Sequence, residues 1–236
     1  MYLIRGKHNL KLFKNHYKYT KRHATIVNFD GLQKGHQSIL SKIKKRAEET
    51  HASSIVFFTE PHASEYFAIS TNTNAEAPPR ICPWRKKFEL LEEYGIDFAF
   101  FLKFNSSLRK MTPETFISDI LEPVGLLSLT VGDDFRFGAN RAGDFQLLRE
   151  WGSKNNIDVT NTETYLHLNE RVSSTRIRKA LLENNFSLAK ELLGRPYTFA
   201  GKVVHGQHLG RTIGIPTANI WLPKQKLPIS GVYAVR

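Results

Sequence analysis

The residues Asn28-Phe29-Asp30-Gly31-Leu32-Gln33-Lys34-Gly35-His36 have the types and order of a phosphate-binding corner. They follow a short apolar strand pattern, Ala24–Val27, and run straight into helical periodicity. The start of a helix leaves its first amides without intrahelical partners, and the helix dipole favours an anion there. Gly31 and Gly35 permit a close turn and backbone approach to a phosphate, and the ring of His36 can donate to a phosphoryl oxygen. The chemistry expected is that of a nucleotide.

Three further segments carry groups of the same kind. Gly132–Asp144 combines glycines, arginines and an Asp133-Asp134 pair between a strand and a helix. Arg136 or Arg141 suits a phosphate there, and Asp134 suits a sugar or base. In Val172–Arg178 the hydroxyls of Ser173, Ser174 and Thr175 open a helix, with Arg176 and Arg178 one turn on. Residues two apart on a helix face different ways, so at most one of these arginines meets a ligand. In Gly210–Asn219, Thr217 and Asn219 offer neutral oxygens to a hard cation carrying a nucleotide. Each segment alone has an ordinary explanation: a salt-bridged loop, a capped basic helix, a tight turn.

The elements that must position these groups alternate. Strand patterns fall at Ala24–Val27, Ser54–Phe58, Asp97–Leu102, Leu127–Val131 and Ile157–Thr160. Helical patterns fall at Gln37–Thr50, Pro83–Tyr94, Thr112–Leu121, Phe145–Asn155, Ser173–Asn184 and Ser187–Leu193. This predicts an α/β domain with a parallel sheet, whose ligands sit beyond the carboxyl ends of the strands. The Asn28–His36 corner and the Gly132–Gly143 loop both lie there and should share a crevice. After Gly194 helical periodicity stops, Tyr197–His205 alternates, and Gly, Pro and β-branched residues dominate. That marks a second, all-β domain. The Ile69–Pro79 loop is expected to be mobile.

Composition narrows the class. The 236 residues are 41% hydrophobic and 24% charged, and no apolar run reaches the ~20 residues of a membrane span. The single cysteine, Cys82, excludes an intrachain disulfide and points to a reducing, cytoplasmic setting. The net charge of +12 is concentrated early, in Arg5, Lys7, Lys11, Lys14, Lys18, Lys21 and Arg22, with no acidic residue before Asp30. A basic nucleic-acid-binding protein is therefore one alternative, although no RNA-binding motif accompanies the charge. No His/Cys/Asp spacing suggests zinc. Nothing in the sequence bears on oligomeric state.

In this order the segments closely resemble the bacterial-type bifunctional riboflavin kinase/FMN adenylyltransferase, or FAD synthetase, family. The matching motifs are Asn28–His36, Glu60-Pro61-His62, Gly132–Gly138, Ser173–Arg178, Leu193–Tyr197 and Gly210–Asn219. The resemblance implies a Rossmann-like nucleotidyltransferase domain over 1–186 and the start of a riboflavin kinase β-barrel over 187–236. It implies transfer of AMP from ATP to FMN, giving FAD and pyrophosphate, and in the kinase part phosphorylation of riboflavin, with Mg²⁺ accompanying the nucleotide. By the family pattern His36, Ser174, Thr175 and Arg178 hold ATP phosphates, and Asp134 lies near the flavin or adenylyl site. Thr217 and Asn219 bind the kinase nucleotide and Mg²⁺. Asn28, Phe29, Asp30, Gly31, Gly35 and Arg136 complete the expected binding set.

The sequence also departs from that pattern. Gln33 stands at the first motif histidine, Val27 at a glycine, Thr59 at an aromatic and Ala63 at a proline. If the missing histidine stabilises developing charge, its loss costs on the order of 10²-fold. Lys34 is then a candidate to supply the absent positive charge. An ATP- or flavin-binding module without turnover is the second alternative. Roughly 40 residues are too few to close a kinase barrel, so kinase activity is not expected of the chain as it stands.

Overall fold

Continuous apolar runs become the central strands of one parallel sheet, because strands covered on both faces have no polar side to show. The computed structural model describes residues 1–18, 20–70, 76–132, 134–206, 214–215, 217–221 and 226–235. Asp133, the Gly210–Ile213 and Pro216 parts of the predicted kinase loop, and 71–75 of the loop expected to be mobile lie outside them.

The elements run β1 (Tyr2–Arg5), α1 (Leu10–His16), β2 (Arg22–Ile26), α2 (Lys34–Glu49), β3 (Ser53–Glu60), α3 (Ala63–Ser70), α4 (Trp84–Glu93), β4 (Phe98–Lys103), α5 (Ser106–Lys110) and α6 (Pro113–Phe116). They continue with β5 (Leu126–Val131), α7 (Phe145–Lys154), β6 (Asp158–Asn161), β7 (Leu166–His167), β8 (Glu170–Arg171), α8 (Ser174–Leu182), α9 (Phe186–Leu193), β9 (Lys202–Val204) and β10 (Asn219–Trp221). The sheet order is β1-β4-β3-β2-β5-β6, with every pair parallel. The order reverses between β2 and β5, so the ligand crevice belongs beyond their carboxyl ends.

Alternate residues of β3 feed the two faces. Ile55 and Phe57 join Phe98, Phe100 and Leu129 against Phe116, Ile120 and Leu148. Val56 and Phe58 join Leu40 and Ile43 of α2 and Leu90 and Leu91 of α4. A third cluster unites Ile177 and Leu181 of α8 with Ala189, Leu192 and Leu193 of α9, and Tyr197 and Ile229 pack against it.

Several expectations are corrected. The predicted Thr112–Leu121 helix is capped by the Thr112 side chain, then widens from α6 into a π turn over Ile117–Leu121. The basic N-terminal stretch supplies an edge strand, β1, and a helix, α1. Its charge is partly internal. Arg22 is 2% exposed and donates to the carbonyls of Tyr17, Thr20 and Val124, and Lys7 pairs with Asp119. A nucleic-acid surface loses Arg22, while the Lys7 pair lies at the surface. Of the predicted 197–205 strand, only β9 forms, paired antiparallel with β10. Among the described residues, no helix is long and apolar enough to cross a membrane.

Candidate functional site

A cavity of about 1140 Å³ opens where the strand order reverses. Ile26, Val27 and Asn28 at the end of β2 and Gly132 and Asp134 after β5 line it. One end is apolar, with Phe67, Phe104, Leu108, Phe116 and Phe137. The other is polar, with Gln33, Gly35 and His36 facing Ser173, Ser174 and Arg178.

The corner itself is strained. Phe29, Gly31 and Leu32 all have positive φ, at 51°, 96° and 42°. Glycine tolerates this; Phe and Leu do so only where the surroundings over-determine the backbone. Here side chains from three helices and from the segment beyond α9 take the carbonyls. Lys87 of α4 donates to Asn28 (2.8 Å), and Ser174 of α8 to Asp30 (3.1 Å). Gln37 of α2 donates to Leu32 (2.8 Å), and Arg195, beyond α9, to Gly31 (2.6 Å) and Leu32 (3.2 Å). The Asp30 carboxylate, 4% exposed, accepts from the Ile81 and Cys82 amides at 3.1 and 3.3 Å and pairs with Arg178 at 2.5 Å.

Helix α2 starts at Lys34 with Gln33 as its N-cap, and the Gln33 side chain makes no capping bond to its amides. His36 therefore sits in the first turn, two residues inside the helix rather than at its first position. Its ring stands edge-on to Phe29 at 5.3 Å, and its Nδ1 is out of solvent without a partner. Burial, then the positive field of Lys87, pushes the His36 pKa down to about 3, so the ring is neutral near pH 7. The Oε1 of Gln33 is also buried and unpartnered. Two orphan polar atoms at an uncapped helix start are what a site shaped for an absent polar ligand leaves behind.

Charged groups support the corner from below. Lys87 is wholly buried, with its Nζ 3.5 Å from His62 Nε2 and 5.0 Å from the Phe58 ring centre. Burial pushes its pKa down, opposed by the fields of Glu60 and Asp30. Burial and Lys87 also push His62 down to about 4. Burial opposes the charge on Arg80, but its bonds to Glu65 and Glu60 outweigh this and hold its pKa above the ordinary value.

Of the residues singled out from the sequence, Asn28, Asp30, Gln33, Gly35, His36, Asp134, Arg136, Ser174 and Arg178 line the cavity. Phe29 is wholly buried, and Gly31 forms the turn; neither is among the lining residues. Thr175 is exposed and outside the lining. Thr217 and Asn219 are exposed in the C-terminal segment, away from the lining. Lys34 also lies outside it, with its stem beside Gly194. The two arginines of α8 divide: Arg178 lines the cavity, while Arg176 pairs with Glu170 and donates to the His167 carbonyl. Asp134 carries an ion pair with Arg171 at 3.7 Å. β3 pairs in regular register, so Phe58 stays in the core and the Thr59 hydroxyl donates to Asn28 Oδ1 at 3.1 Å.

Sequence reasoning missed Lys87, Gln37 and Arg195. For Lys87 a signal existed: it lies three and four residues before Leu90 and Leu91, on the buried face of α4.

The FAD synthetase family model matches residues 16–176, and the riboflavin kinase family model matches residues 193–236. The bifunctional riboflavin kinase/FMN adenylyltransferase of Escherichia coli K12 is 41% identical over 236 residues, covering 100% of this chain and 72% of the relative. Those of Buchnera aphidicola from Schizaphis graminum and of Haemophilus influenzae are 38% and 37% identical, covering 73% and 74% of the relative. A crystal structure described as a macrolide-efflux protein from Streptococcus pneumoniae superposes with a TM-score of 0.76 at 26% identity. It covers 99% of this chain and 73% of that one. On the strength of both family models and these matches over the whole of this chain, the chain belongs to the bifunctional riboflavin kinase/FMN adenylyltransferase family.

Proposed function

We propose that the chain transfers the adenylyl group of ATP to FMN in the cavity between β2 and β5, releasing pyrophosphate. The observation that carries this reading is the uncapped start of α2 in the cavity lining, with neutral His36 unpartnered at Nδ1 and Arg178 lining the same cavity beside Asp30. In the reaction an FMN phosphate oxygen bonds to the α-phosphorus of ATP as the bond to pyrophosphate breaks. Such a step asks the protein for positioning and charge stabilisation rather than covalent chemistry. The amides of the α2 start and the His36 and Gln33 side chains act as neutral donors to the phosphates. Ser174 and Arg178 hold the corner that presents them. Asp134 and Arg136 flank the second substrate, and the apolar end fits an isoalloxazine ring. ATP enters as its magnesium complex. We propose the cytoplasm, with Cys82 reduced, as the setting.

For the segment that matches riboflavin kinase, we propose Thr217 and Asn219 as the neutral oxygen ligands of a magnesium nucleotide. The reaction they serve in the relatives' second named activity is phosphorylation of riboflavin.

The test is FAD formation from FMN and Mg·ATP by purified protein, followed by chromatography. Turnover is the expected result; its absence with nucleotide binding intact would instead support a binding module without chemistry. Gln33→His belongs beside it. The burial that holds His36 neutral would do the same to an imidazole at position 33, which is 4% exposed, so a cationic donor is not regained. The expected gain in kcat is at most about tenfold, well short of the 10²-fold or more that a restored charged donor gives.

A further inference from the structure

Arg195 lies inside the segment that matches riboflavin kinase, 19 residues beyond the end of the FAD synthetase match at 176. Its guanidinium nevertheless reaches back into the nucleotide corner. Nη2 donates to the Gly31 carbonyl at 2.6 Å, and Nη1 to those of Leu32 and Leu193, each at 3.2 Å. Gln37 completes a bridge, donating from one amide to Leu32 (2.8 Å) and Leu193 (2.7 Å). Gly194 ends α9 in the left-handed conformation, which turns the chain toward this bridge.

We propose that Arg195 is a positioning residue for adenylyl transfer, supplied to the transferase site by the kinase-matched segment. This rests on the adenylyltransferase reading above. The physical reason lies in the two faces of a peptide. Gly31 and Leu32 are consecutive left-handed residues, and such a turn aims its amides and carbonyls in opposed directions. Fixing the carbonyls on the outer side fixes where the following amides point on the cavity side. Leu32 at φ 42° would relax toward the ordinary region if its carbonyl were released. A lysine cannot replace the fork, because it presents one point donor rather than several at fixed angles. Arg195 touches no substrate-facing surface: it is absent from the cavity lining.

The experiment uses the full chain and the variants Arg195→Ala and Arg195→Lys. Binding of the α,β-methylene analogue of ATP and of FMN is measured by calorimetry, FAD formation by steady-state kinetics, and folding by thermal unfolding. Expected for Arg195→Ala is a loss of about 10–100-fold in kcat/KM for ATP, with weaker analogue binding and unchanged FMN affinity. Added methylguanidinium restores part of it. Arg195→Lys, which keeps the charge and most of the volume, loses nearly as much without a shifted melting temperature. Analogue binding equal to wild type in both variants overturns the proposal. So does an equal loss of ATP and FMN affinity with a lowered melting temperature and no rescue, since that marks a merely structural role. If the wild type binds the analogue yet forms no FAD, the adenylyltransferase reading fails, and the binding comparison still decides Arg195. No analogue binding by the wild type overturns both.

Discussion

Asp30→Ala is expected to destabilise the protein by about 3–5 kcal/mol and to abolish measurable FAD formation. The carboxylate is 4% exposed and satisfies three donors at once: the amides of Ile81 and Cys82 and the guanidinium of Arg178. Removing it leaves a half-buried arginine without its counter-ion and two buried amides without an acceptor. An uncompensated buried charge costs more than the pair was worth, because desolvation has already been incurred. Arg178→Ala should be milder, because the Ile81 and Cys82 amides keep their acceptor. Combining the two changes should therefore cost less than their sum, by about 1–3 kcal/mol. Urea unfolding of the four proteins measures the cycle. Additive effects, or an Asp30→Ala loss below 1 kcal/mol, would mean that the corner is held chiefly by its carbonyl contacts. The same substitution should weaken nucleotide binding, because the carboxylate ties the corner to the Ile81 and Cys82 amides and to Arg178 of α8.

The dependence of this corner on distant side chains marks the boundary of what the sequence makes legible. The sheet was readable, because Ser54–Phe58 and Asp97–Leu102 are continuous apolar runs of strand length and each is followed or preceded by a helical period. The phosphate corner was readable, because Gly31 and the helix pattern after it are local signals. The residues that hold it were not. Lys87 sits in Arg85-Lys86-Lys87, which looks like a solvated basic face until its spacing to Leu90 and Leu91 is weighed. Arg195 and Gln37 are ordinary surface types whose roles arise only when α9 folds back beside α2. Helix α3 was missed because its stability is not local. Glu65 accepts from the His62 amide at 3.0 Å and is itself held by Arg80, fifteen residues on in the chain. The β7–β8 hairpin was missed for a different reason. Its turn places both Leu168 and Asn169 at positive φ, 52° and 60°, and leucine gives no hint of that conformation. Arg176, read as a possible phosphate ligand, instead anchors this hairpin.

The two histidines beside Lys87 give the protein a steep acid limit. His62, 8% exposed, has a pKa near 4 and faces Lys87, Arg80, Asp30 and Glu65; His36 has one near 3 and faces Lys87. In the unfolded chain both titrate near the ordinary 6.5. Between pH 6.5 and 4 the unfolded state thus binds protons that the folded state refuses, and stability must fall as pH falls. Each such site contributes a slope of about 1.4 kcal/mol per pH unit when fully expressed. His36 borders the cavity, so solvent screening reduces its share, and the expected combined loss across the window is roughly 3 kcal/mol. Glu65 adds nothing there: its pKa is lowered from 4.5, so its contribution is lost only below that value. Urea unfolding at pH 7, 6, 5 and 4.5 tests the slope, with His62→Gln as the control. The variant should show a shallower fall, having lost one proton-binding site from the unfolded chain. A wild-type stability that stays level from pH 7 to 4.5 would show that these rings titrate in the folded protein as they do in the unfolded chain. His36 would then meet the ATP phosphates as a cation below about pH 6.5 rather than as a neutral donor.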